Sequence, residues 1–129
     1  MLKINNMKFN IPDDCGNSPK NRIISNLYVN YAYKDINKIL DSYHSKIEWK
    51  LIGDQTLKGI EEVRELLENI TSERIIEFTL HRVITHGKYA SAFGEIIFEN
   101  RKIAFNDNYE FTSAASHIII SIVSFTIIL

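Results

Sequence analysis

The chain has 129 residues, 45% hydrophobic and 24% charged, with 15 basic against 16 acidic side chains for a net charge of −1. That length is one domain's worth, enough to bury roughly two-thirds of the unfolded surface, and the balance excludes a disordered chain, a basic nucleic-acid binder and an acidic tail. The one cysteine, Cys15, can neither close an internal disulfide nor build a cysteine zinc site, and the chain opens without an apolar leader, so a reducing cytoplasm is expected.

Residues 1–17 contain Pro12 and the polar run Asp13-Asp14-Cys15-Gly16-Asn17, and read as an N-terminal extension whose Lys8-Phe9-Asn10-Ile11 lies on the body of the domain. One domain is expected over 18–129. Ser18-Pro19 is a helix start, with serine capping the free amides and proline in the first helical position. Ile23, Ile24, Leu27, Tyr28 and Tyr31 then fall on one helical face. Asp35 caps a second, short helix with Ile36, Ile39, Leu40 and Tyr43 inward.

At Ile47 the period changes to two. Ile47, Trp49 and Leu51 alternate with Glu48 and Lys50, as in a half-buried strand that Gly53-Asp54-Gln55 ends. A third helix follows from about Gly59, with Ile60, Val63, Leu67 and Ile70 inward and glutamates crowding its first turns. Four strands complete the chain, over 74–85, 89–98, 102–112 and from about 117 to Leu129. The last is apolar on both faces but too short and too β-branched for a membrane helix. Helices followed by a strand meander predict an α+β domain in which helices cover a curved antiparallel sheet.

Strand alternation puts Phe105, Asp107, Tyr109 and Phe111 on one face, which is aromatic and therefore inward. Asp107 is thus a carboxyl group among apolar side chains. Either it is neutral, or it pairs with Arg82, which the pattern Ile76, Phe78, Leu80, Ile84 also turns inward. Ala90, Ala92, Gly94, Ile96 and Phe98 form a row of mostly small side chains that leaves room for a helix or a ligand. His44, His81, His86 and His117 read as surface positions without metal spacing. The five glycines form no phosphate loop, so neither metal nor cofactor is expected.

Several segments carry a family resemblance. Lys34 to Leu40 is similar to a turn into a second helix. Trp49-Lys50-Leu51-Ile52-Gly53-Asp54 followed by Leu57-Lys58-Gly59-Ile60-Glu61-Glu62-Val63 is the most specific piece. Ile84 to Lys88, Phe105 to Phe111 and Ser124-Phe125 complete the set. Together, over residues 20–129, they resemble the nuclear-transport-factor-2-like superfamily, in its SnoaL-like branch of polyketide cyclases and ketosteroid isomerase relatives. The resemblance implies a cone-shaped half-barrel, its sheet wrapped on a long N-terminal helix with two further helices, and a pocket between them. It sets Asp107 where ketosteroid isomerase keeps a protonated aspartic acid that donates to a substrate oxyanion.

It also sets Leu51 where the isomerase has its proton-abstracting base, and the isomerase's helix tyrosine at Leu27, or at Tyr28 if a gap is allowed. The expected pocket is lined by Tyr28, Tyr31, Trp49, Leu51, Phe105 and Tyr109, walls that suit a flat hydrophobic molecule. Three functions stay open: a ligand-binding protein with proton-transfer chemistry at Asp107, a non-catalytic ligand-binding or dimerisation module, and a protein adaptor. A homodimer through the outer sheet face is expected, because isoleucine stands at Ile118, Ile120 and Ile128 while Ile119, Val123, Phe125 and Ile127 supply an inward face. No nucleic acid and no membrane partner is expected.

Overall fold

Ser18 is extended and its Oγ accepts the Asn21 amide at 3.2 Å while Pro19 takes the first helical position, so α1 runs Pro19–Ala32. The computed structural model describes residues 2–4, 7–14 and 16–129, and Cys15 lies outside them. Asp35 caps α2 (Ile36–Leu40) by accepting the Lys38 amide at 3.2 Å. Strand β3 (Tyr43–Leu51) turns through Gly53 into a short strand, β4 (Gln55–Lys58), that no alternation announced. Gly59 begins α3 (Ile60–Ile70) at φ 89°, a left-handed backbone that side chains strain, and Glu61 and Glu62 stand in its positive first turn.

The other four strands are β5 (Ile75–His86), β6 (Tyr89–Phe98), β7 (Lys102–Phe111) and β8 (Ile119–Ile128). Two more, β1 (Leu2–Ile4) and β2 (Met7–Asn10), come from the N-terminal segment. The eight strands form one sheet in the order β1-β2-β5-β6-β7-β8-β3-β4. Its centre is the expected antiparallel meander, but β3 joins β8 in parallel and β2 joins β5 in parallel. The curved, unclosed sheet and its three helices make the expected α+β half-barrel. Among the described residues no helix is long and apolar enough to cross a membrane.

The N-terminal segment is built into this core. Phe9 is fully buried and stacks on Phe78 with ring centroids 5.1 Å apart, while Asn10 Nδ2 donates to Glu77 Oε2 at 2.7 Å and Thr79 Oγ1 at 3.0 Å. Opposite, the row Ala90, Ala92, Gly94, Ile96, Phe98 faces inward and is buried. Gly94 owes its place to backbone rather than to a helix. A Cβ there would stand 2.0 Å from the Thr79 carbonyl oxygen and 3.0 Å from Phe105 Cζ.

Register shifts reverse two of the expected faces. Between Leu80 and Arg82, two residues of β5 stand opposite Phe93 alone. The extra residue turns both His81 and Arg82 outward and returns Val83 to the core. A second shift between Ile75 and Glu77 exposes Ile76, and Ile84 is exposed as well, so the inward pattern expected through Ile76 and Ile84 does not hold. In β8, Ile120 has no partner between the pairs Phe111–Ile119 and Glu110–Ser121. Beyond it Ile122 is buried and Ser124 faces inward, whereas Phe125 and Ile127, expected inside, are exposed on the outer face.

Candidate functional site

The aromatic face of α1 does not close on the sheet. Between α1, α3 and the inner face of β3 and β6–β8 lies a cavity of about 470 Å³, within the range of small-molecule sites. Its walls are mainly apolar, with Leu27, Ile39, Leu67, Phe78, Ile96 and Ile103 among them. The six residues expected to line it (Tyr28, Tyr31, Trp49, Leu51, Phe105 and Tyr109) all border it, as does Asp107. The rings of Tyr28 and Phe105 stack with centroids 5.5 Å apart, so helix and sheet meet at the inner end through aromatic contact.

At that end the polar groups form one connected chain. Tyr28 Oη donates to Asp107 Oδ2 at 2.7 Å, and Ser124 Oγ donates to Asp107 Oδ1 at 2.6 Å. Trp49 Nε1 donates to Ser124 Oγ at 2.8 Å, and the hydroxyls of Tyr28 and Tyr109 lie 2.7 Å apart. Burial pushes the Asp107 carboxyl above its ordinary value of 3.8, and the bonds from Ser124 and Tyr28 only partly offset it. Asp107 borders the cavity and keeps some accessible surface, yet it lies deep in the protein and no cation among the described residues reaches it. The expected alternative partner, Arg82, points outward for the reason given above.

Burial also raises the tyrosines. Tyr28, Tyr43 and Tyr109 are raised well above the ordinary value, each first through desolvation and then through the nearby Asp107, and Tyr31 is pushed up to about 12, first through desolvation and then through Glu73. All four therefore carry their protons at neutral pH and act as neutral hydroxyls. At the mouth, Arg101 grips Glu73 with two bonds of 2.7 and 3.0 Å while its guanidinium lies 4.6 Å over the Phe98 ring. That grip holds the Glu73 carboxyl below its ordinary value, which makes it a poor proton acceptor. Leu51 lines the cavity where the resemblance implied a base, and among the described residues the other carboxylates on the lining are Asp54 and Glu73, both with solvent access.

Ser124, Tyr43, Glu73 and Arg101 were not legible as site residues. Ser124 is the most telling of these. Its facing depends on the unpaired Ile120, and alternation could not reveal that in a strand with apolar residues at both parities.

The geometry defines a fold class. Among solved structures the chain is similar to the epoxide hydrolase/cyclase-like enzyme SalBIII, described for its role in pyran ring formation in the polyether salinomycin, with TM-score 0.73, 12% identity, and 86% of this chain and 92% of that one covered. It is also similar to an NTF2-like protein of unknown function from Burkholderia xenovorans LB400, with TM-score 0.72, 12% identity and coverage of 83% and 81%. A steroid delta-isomerase from Pseudomonas aeruginosa matches with TM-score 0.68, 13% identity and coverage of 84% and 79%. No protein-family model matches the sequence, and a search of curated proteins gives no match. The chain has the nuclear-transport-factor-2-like fold, with NTF2-like proteins, a cyclase-like enzyme and isomerase-related proteins as its structural neighbours.

Proposed function

We propose that this protein binds a flat, hydrophobic organic molecule in its cavity with an oxygen-bearing group at the Asp107 end, and that any proton transfer on that molecule uses Asp107 as its acid. One observation carries this reading: a single carboxyl group without a cation partner stands at the inner end of a cavity of about 470 Å³, inside a ring of hydroxyls. Apolar walls supply the affinity, and a few convergent polar groups supply the orientation. The neighbours that are cyclase-like and isomerase-related agree in kind. With leucine at position 51 and Glu73 held by Arg101, the described residues of the site offer no second buried carboxylate beside Asp107 to serve as a base. Binding and polarisation therefore come before catalysis in this reading. A cytoplasmic setting belongs to the same proposal, in keeping with a single cysteine.

Calorimetric titration with naphthalene tests it. Wild type should bind one equivalent, and Leu51→Trp, which fills the cavity from its wall, should lose that binding while keeping its circular dichroism spectrum. Absence of binding by wild type would reject the proposal.

We also propose a homodimer through the outer sheet face. Phe93 and Phe125 flank Asn106 in one cross-strand row there, and both are exposed together with Ile84 and Ile127. An apolar face of this kind on a sheet is a liability that a second copy would cover.

A further inference from the structure

The hydroxyl chain at the inner end can be followed proton by proton. Trp49 Nε1 can only donate, so the direction at that end is fixed: Trp49 donates to Ser124, which leaves the Ser124 proton for Asp107 Oδ1. The other carboxylate oxygen faces Tyr28, and Tyr28 faces Tyr109. When Asp107 is ionised, Oδ2 takes the only proton of Tyr28. The 2.7 Å contact between the two tyrosines must then use the Tyr109 proton. Tyr109 presents only lone pairs to the cavity in that state.

When Asp107 is neutral, one arrangement keeps every one of these contacts. The acid proton sits on Oδ2 and is donated to Tyr28, Tyr28 donates to Tyr109, and the Tyr109 proton is released toward the cavity. A proton on Oδ1 instead would oppose the Ser124 hydroxyl and cost a bond. Of the four contacts, the two through Tyr28 thus reverse and the two through Ser124 hold.

We infer that Tyr109 is the specificity-determining contact for the ligand's oxygen, a hydrogen-bond donor when Asp107 carries a proton and an acceptor when it does not. This rests on the ligand-binding reading above and names the ligand class: with Asp107 neutral, a molecule whose inner-end oxygen only accepts, such as an aryl ketone. Taking up such a ligand draws one proton onto Asp107, and no bond is made or broken otherwise. The raised proton affinity of buried Asp107 favours the acceptor-binding state toward low pH.

No other group on the lining competes for the pH dependence. Around Asp107 stand Tyr28 and Tyr31 from α1, Tyr43 and Trp49 from β3, Tyr109 from its own strand and Ser124 from β8, while β6 contributes Ala92 opposite it. The four tyrosines stay protonated throughout. Glu73, paired with Arg101, and Asp54 lie at the solvent-accessible mouth, and among the described residues no histidine lines the cavity.

The test compares naphthalene, which has no oxygen, with 2-acetylnaphthalene, which only accepts, by calorimetry from pH 4 to 8.5. Naphthalene should bind wild type equally across the range. The ketone should bind more tightly than naphthalene at low pH, by about fivefold for one neutral hydrogen bond, and lose that advantage as pH rises. Tyr109→Phe should abolish both the advantage, taken relative to that variant's own naphthalene affinity, and the pH dependence. Asp107→Asn should hold the ketone advantage at every pH, because its Nδ2 donates to Tyr28 as the neutral acid does. Naphthalene binding with a ketone advantage that ignores pH in wild type, or that survives in Tyr109→Phe, would overturn the inference and leave the cavity reading standing. Failure to bind naphthalene at all would overturn both.

Discussion

Asp107→Asn separates a buried neutral acid from a structural ion pair by its effect on stability. The folded protein raises the Asp107 pKa from its ordinary 3.8 mainly by burial. The folded state therefore holds the proton more tightly than the unfolded state, and between 3.8 and the folded pKa it binds more protons. Stability is full below that window, falls as pH rises through it, and is flat beyond. Each tenfold step in proton affinity between the two states is worth about 1.4 kcal/mol. Asparagine removes the ionisation and keeps both contacts, its oxygen accepting from Ser124 and its amide donating to Tyr28. Urea melts should thus show the variant within about 0.5 kcal/mol of wild type at pH 4, and equal or more stable at pH 7. Asp107→Leu, by contrast, leaves the Ser124 hydroxyl without its acceptor and the Tyr28 hydroxyl without its donor, and should lose about 2 kcal/mol even at pH 4. A loss of more than about 3 kcal/mol in Asp107→Asn at pH 7 would refute this account, since losses of that size follow when a buried charge is stripped of its partner.

Three further outcomes are expected. Gly94→Ala should cost about 3 kcal/mol in a urea melt, because its Cβ would stand 2.0 Å from the Thr79 carbonyl oxygen; a neutral result would mean that β5 and β6 are less closely apposed there. Phe9→Ala should cost about 3–5 kcal/mol, as for a fully buried aromatic, whereas an appended tail would cost almost nothing. Sedimentation at micromolar concentration should give a dimer for wild type and a monomer for Phe125→Lys, and a wild-type monomer would reject the dimer.

Local chemistry made much of the fold legible. Ser18-Pro19 and Asp35 set two helix starts because capping and the proline ring act within one turn. The change of period at Ile47 marked the first long strand, and alternation in β7 put Phe105, Asp107, Tyr109 and Phe111 on the inner face because side chains in an unbroken strand must alternate.

Where a strand carries an extra residue, the same rule misleads. The shift at Leu80–Arg82 sent Arg82 outward, and the unpaired Ile120 exchanged the faces of β8, so that Ser124 rather than Phe125 meets Asp107. Isoleucine, valine and phenylalanine occupy both faces of that last strand, so its sequence holds no preference that could have marked the exchange. The parallel pairings of β2 and β3 and the grip of Arg101 on Glu73 likewise join residues far apart in the chain. The sequence by itself determined which segments fold and that a carboxyl group would be buried among aromatic rings. Only the tertiary structure decided what that carboxyl group touches, because its partners come from two other elements, α1 packed over the sheet and β8 whose register is set by pairing across it.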